Sequence, residues 1–225
     1  MKTSVSWEFY DDKSFSGKKN KNNKDYASII LNATRIIKST TPLNENQLTK
    51  KWIKHLKLDI SKISRLFIYL DKSKYFSCYF PFFISESGKS FIIRNKDVEI
   101  TDQLLSEMFS LLNDIEKCSL FNKFQDEDEE TNYSIEAYQI LEELITTEPG
   151  YIRYDMDFDN ANGHIHPKIH FDINMAKKCT FKIGIFEEMT ASTFESIFNK
   201  NQDCFYLIDP SKFKYSHRLK KKRKK

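Results

Sequence analysis

Residues 150–173 read GYIRYDMDFDNANGHIHPKIHFDI and hold three of the chain's five histidines together with four aspartates. Imidazole exchanges protons near neutral pH, and imidazole with carboxylate is a common donor set for divalent metals. Two chemistries follow. Asp155, Asp157 and His170 form a candidate acid–base set, with His170 as the proton acceptor beside Asp155. His164, His166, His170 and Asp172 form a candidate set of metal ligands, which leaves a divalent cation open as cofactor. No cysteine lies near enough to complete an ordinary structural zinc motif.

The elements that must carry these groups offer a second reading. In YIRYDMDF, Ile152, Tyr154, Met156 and Phe158 alternate with Arg153, Asp155 and Asp157; in KIHFDIN, Ile169, Phe171 and Ile173 alternate with Lys168, His170 and Asp172. Period-two alternation is the mark of a strand with one apolar and one polar face. Paired antiparallel around the DNANGHIHP loop, the segments set Asp157 opposite Lys168, Asp155 opposite His170 and Arg153 opposite Asp172. Such a ladder of complementary charges suits a solvent-facing sheet without any catalytic role, and the pattern favours that reading over a site.

The rest of the chain supplies the frame. YASIILNATRIIKST, from Asp25 as N-cap, carries Ile30, Ala33, Thr34 and Ile37 at helical spacing, and Leu48, Trp52 and Leu56 suggest a second, shorter helix. RLFIYL, KYFSCYFPFFI and KSFIIR read as antiparallel strands, with SESGKS as a hairpin loop and Pro81 pointing to an edge or bulge. DQLLSEMFSLLNDIEKCSLF and SIEAYQILEELITTEPG are amphipathic helices, the second stopped by Pro149 and Gly150. CTFKIGIF is a third late strand, in which Gly184 marks a bulge or a close approach, and TASTFESIFNKN is a closing helix capped by Thr190. The expected class is α+β: a mostly antiparallel sheet, in one or two strand groups, with helices packed on one face. The expected division is a flexible arm over 1–24, a single domain over 25–210 with an acidic connection near 125–131, and a basic tail over 211–225.

Composition narrows the function classes. With 225 residues, 40% hydrophobic and 14% aromatic, the chain has enough apolar surface to fold, and 19 Phe and 11 Tyr predict an aromatic core. Five glycines leave no phosphate-binding Gly-rich loop, so no nucleotide cofactor is expected. The cysteines at 78, 118, 179 and 204 are dispersed singly and read as reduced thiols, and no segment reads as a signal peptide or membrane span, so a cytoplasmic protein without a transmembrane segment is expected. The net charge of +4 owes much to the terminal run, where Arg218, Lys220, Lys221, Lys222, Arg223, Lys224 and Lys225 could neutralise nucleic-acid phosphates without reading bases.

RYDMD, a short polar loop, HPKIHFDI and then CTFKIGIFEEMTASTFESIF together resemble the bacterial family known as domain of unknown function 2290. The matching positions are Arg153, Asp155, Asp157, His166, Pro167 and His170, while Asp172 stands where that family favours a further histidine. The resemblance implies an accessory, nucleic-acid-associated subunit of a phage-defence or toxin-like system, partnered with an ATPase or a nuclease. The histidine and aspartate cluster supports an alternative, a small metal-dependent or acid–base nuclease. A pure protein-interaction module is the third reading.

Overall fold

The computed structural model describes residues 4–10, 15, 22–44, 47–48, 53–61, 64–88, 90–115, 133–163, 165–175, 180–199 and 201. The chain divides into two compact units, Met1–Phe186 and Glu187–Lys225. The first carries the strands β1 (Ser4–Glu8), β2 (His55–Asp59), β3 (Arg65–Asp71), β4 (Lys74–Tyr79), β5 (Phe83–Ser87), β6 (Ser90–Asn95), β7 (Val98–Glu99), β8 (Ile152–Met156), β9 (Ile169–Ile173) and β10 (Phe181–Gly184), and the helices α1 (Asn23–Ser39), α2 (Asp102–Ile115) and α3 (Ile135–Thr146). The second carries α4 (Ala191–Ser196), capped by Thr190, whose Phe194 is buried and meets Phe198 edge-on.

Seven strands form one antiparallel sheet in the order β1-β2-β3-β4-β8-β9-β10, and β5, β6 and β7 form a second. The class is α+β with two strand groups, as expected. Alternation sorts each strand of the large sheet into two faces. The inner face presents Val5, Trp7, Leu56, Leu58, Leu66, Ile68, Phe76 and Cys78, all in one core with the buried residues of α1, α2 and α3. Leu104, Leu105, Met108, Leu111 and Leu112 of α2 are buried there, as their spacing predicts. The N–H of Leu104 donates to the Thr101 hydroxyl, which caps α2, and Ser134 caps α3 while its hydroxyl donates to Glu107 of α2 at 2.6 Å.

The opposite face of the same sheet carries aromatic rings across five strands. His55 stacks on Tyr69 at 4.5 Å, Tyr75 stacks on Tyr154 at 4.6 Å, and Tyr69 with Tyr75, then Tyr154 with Phe171, join them into one row. Tyr69, Tyr75, Tyr154 and Phe171 are all buried. On this face of β8 and β9 the central Tyr154 and Phe171 are buried and the flanking Ile152, Met156, Ile169 and Ile173 are half-buried.

Four local expectations are corrected. Ser4–Glu8, placed in a flexible arm, form the outermost strand of the sheet with Trp7 fully buried, because VSW supplies three consecutive side chains to a strand position. The N-cap of α1 is Asn22, with Asp25 completing a capping box at the third helical position. Leu56, assigned to a helix with Leu48 and Trp52, lies in β2, where HLKLD alternates buried and half-buried residues; Trp52 is outside the described residues. KYFSCYFPFFI is two strands, since Pro81 has no N–H to give a ladder and lies in the connection from β4 to β5, where the chain passes from one sheet to the other. No helix among the described residues is long and apolar enough to cross a membrane.

Candidate acid–base centre

Strands β8 and β9 pair antiparallel in the register that alternation predicts, with Arg153 opposite Asp172, Asp155 opposite His170, and the Asp157 N–H donating to the Lys168 carbonyl at 2.8 Å. The expectation of a solvent-facing ladder is overturned. Asp155 is 6% exposed, Asp172 5% and His170 1%. The polar face of this hairpin continues the inner face of the sheet, since Arg153 pairs with Phe76 of the core. Charges held there must be compensated by partners, because water no longer solvates them.

Compensation comes from three strands. Arg153 donates from Nε to Asp155 Oδ2 at 2.7 Å, and its Nη2 bridges Asp155 to Asp172 Oδ2. Burial alone pulls the Arg153 guanidinium down, but Tyr151, Asp155 and Asp172 outweigh it and hold the group above its ordinary value. Lys74 of β4 lies 3.4 Å from Asp155 Oδ1. Lys182 of β10 donates to Asp172 Oδ1 at 2.6 Å and to His170 Nε2 at 2.8 Å. Three cations therefore face two carboxylates, and of these five side chains only Lys74 and Lys182 are as much as 30% exposed.

The tautomer of His170 is set from the loop. Nδ1 lies 2.8 Å from the Pro167 carbonyl oxygen, an acceptor only, so Nδ1 carries the proton and Nε2 presents its lone pair to Lys182. Gly184 favours this approach: a Cβ there would lie 3.0 Å from Pro167 Cγ, so a larger residue would require Pro167 to give way by a few tenths of an ångström. The expectation of a close approach at Gly184 holds. Burial first, then the nearby Lys182, lowers the His170 pKa, against the raising effects of the Pro167 hydrogen bond and the two aspartates. At neutral pH His170 is a neutral base.

Of the residues expected to do chemistry, the structure brings together Asp155, His170 and Asp172, whose candidate ligand atoms lie within 4.8 Å of one another. Asp157 is not among them. Its carboxylate accepts from the backbone and side chain of Asn160, which hold its pKa below the usual range, and so it organises the loop. His166 packs its ring edge-on to His170 at 4.7 Å, and its Nδ1 has no hydrogen-bond partner among the described residues. His164 and the basic residues 218–225 lie outside the described residues. Sequence reasoning missed Lys74 and Lys182. The signal for Lys182 was available, because it is the polar position between Phe181 and Ile183 on the strand that follows the hairpin.

The donor set of Asp155, His170 and Asp172 suits a divalent metal in residue type, but the Lys182 ammonium already holds the point between His170 Nε2 and Asp172 Oδ1 that a shared cation would take. Cysteine chemistry finds no support in Cys78, whose thiol burial pushes up to about 12. The chain matches no known family model, no curated protein and no solved structure.

Proposed function

We propose that the protein acts on nucleic-acid phosphodiesters, as a small acid–base nuclease with His170 as general base. The observation that supports this most directly is a neutral imidazole whose bare Nε2 meets an ammonium inside an otherwise buried, net positive cluster. His170 is 1% exposed, so the nucleophile it can serve is water rather than a bulky ribose hydroxyl. In the reaction the water oxygen bonds to phosphorus, its proton passes to His170 Nε2, the bond from phosphorus to the leaving oxygen breaks, and that oxygen takes a proton from the Lys182 ammonium. Solvent exchange then returns both residues to their starting states. Arg153 fixes both carboxylates, and Lys74 adds positive charge at the edge of the cluster. The basic tail adds non-specific affinity for the backbone, and the dispersed cysteines support a cytoplasmic setting.

A second reading keeps the nucleic-acid association without catalysis: an accessory subunit of a bacterial defence system, working beside an ATPase or nuclease. Its support is that every carboxylate in the cluster is already paired. Single- and double-stranded RNA and DNA, incubated with purified protein with EDTA and separately with magnesium or manganese, decide between them. The nuclease reading expects cleavage that persists in EDTA and falls about 100-fold or more in His170→Gln. Absence of cleavage under all conditions sinks it and leaves the accessory reading. Cleavage only with added metal would replace the role given to Lys182.

A further inference from the structure

His170 Nε2, the atom that takes the proton in the nuclease reaction, is already occupied by a hydrogen bond from Lys182. Lys182 is on β10, at the end of the sheet order, and its side chain is 30% exposed where Asp172 is 7% and His170 1%. It is the one member of this trio that reaches solvent. Asp172 does not depend on it alone, because Lys182 holds Oδ1 while Arg153 holds Oδ2. Withdrawal of Lys182 thus leaves two carboxylates facing Arg153 and Lys74, and charge neutrality within the cluster is kept. An anion arriving at the edge would find two flexible ammoniums, Lys74 and Lys182, and an ammonium as a compact cation on a long stem can turn to it with little rearrangement of the strands.

We propose that Lys182 is a phosphate-responsive cap on His170: at rest its ammonium occupies Nε2, and a phosphate group draws it outward and uncovers the base. The proposal rests on the phosphodiester reading for the identity of the ligand, and on the Lys182, Asp172 and Arg153 geometry for the device itself. It makes Lys182 a sensor as well as a proton donor, and it ties exposure of the base to the presence of substrate. Groups around His170 are Asp172 on its own strand, Asp155 and Arg153 on β8, Lys182 on β10, Lys74 on β4 beside Asp155, and His166 in the loop, and of the charged side chains among them Lys74 and Lys182 are the most exposed.

The test is a side-chain nitrogen NMR titration of the full chain at pH 7.5, with the His170 signal assigned by its loss in His170→Gln. Inorganic phosphate is added at constant ionic strength, with chloride as balance, and in a second arm a short single-stranded DNA without terminal phosphates replaces it. The expected result is a saturable shift of Nε2 with both probes and none with chloride. In Lys182→Met and Lys182→Gln the signal should start displaced and respond to neither. A shift with inorganic phosphate alone supports the cap while removing the nucleic-acid reading, so the two claims fail separately. An unmoved Nε2 in the wild-type protein overturns the proposal, whether or not the variants fold, and so does a shift of equal size in either lysine variant.

Discussion

The inner face of the large sheet is one surface with two unlike halves. Across β1 to β4 it carries Trp7, Leu56, Leu58, Leu66, Ile68 and Phe76 against three helices; across β8 to β10 it carries Arg153, Asp155, His170, Asp172 and Lys182. The first half and the Asp155, His170 and Asp172 of the second are withdrawn from water, while Lys182 reaches solvent, and the two halves are stabilised differently. Each apolar side chain of the first half contributes by leaving water, independently of direction. The second half contributes little net stability, because desolvation of its charges offsets their attraction, and its value lies in fixed geometry. The join is Phe76 beside Arg153, where a guanidinium stem continues the apolar layer and its head begins the charged one. A protein that needed only a core would have continued with leucines.

That contrast can be attacked from either side. The largest effect should come from Leu111→Asp, which puts an unpaired carboxylate into the fully buried helix layer; a cost of about 4 kcal/mol or more, and loss of cooperative thermal unfolding, are expected. Next is Arg153→Met, which leaves Asp155 and Asp172 facing each other without the bridge between them. Denaturant titration should show a loss of about 3–5 kcal/mol, and adding Asp155→Asn and Asp172→Asn to the same chain should restore much of it. If the triple variant is no better than the single one, the charged half is packed for shape and not for charge.

Gly184→Ala is smaller. Pro167 would have to retreat by a few tenths of an ångström, at about 1–2 kcal/mol, and the His170 hydrogen bond to its carbonyl would loosen. Histidine tautomer populations read by NMR, with the melting temperature, check both parts. The smallest effect concerns pH. The folded state holds the His170 pKa below its ordinary value of 6.5, so above that value the imidazole is neutral in both states and folding is unaffected. As pH falls below about 6.5 the unfolded chain takes the proton first, and stability should decline through the interval down to the folded pKa. In His170→Gln that part of the pH dependence should vanish; a profile unchanged by the substitution would show that the group is not held neutral.

How far these features could be read without coordinates differs residue by residue. The amphipathic helices α2 and α3 and the hairpin register from Arg153 opposite Asp172 to Asp157 opposite Lys168 were legible, since periodicity is local and the pairing partners are separated by one loop. Trp7 in β1 was not, because a five-residue strand flanked by polar residues gains its meaning only from β2, which lies nearly fifty residues later. Leu56 was misread because Leu48, Trp52 and Leu56 satisfy a helical period by coincidence with the strand alternation of HLKLD.

The sequence by itself determined which side chains share a face: alternation is a property of the extended backbone, so Asp155 and Asp172 had to face Arg153 and His170 once the hairpin closed. Only the tertiary structure decided that this face is enclosed. Burial depends on what is packed around the hairpin: β4, from far earlier in the chain, brings Lys74 and Phe76 beside β8, and β10, the next strand, brings Lys182 and the Gly184 contact with Pro167, whose carbonyl sets the His170 tautomer. A chain of alternating charges carries no signal for whether water or protein lies above it. The same residues in the same register would have formed a solvated ladder or a compensated reactive cluster, and the difference was made by what packs beside them, because the cost of an unpaired charge is set by the surroundings it is placed in.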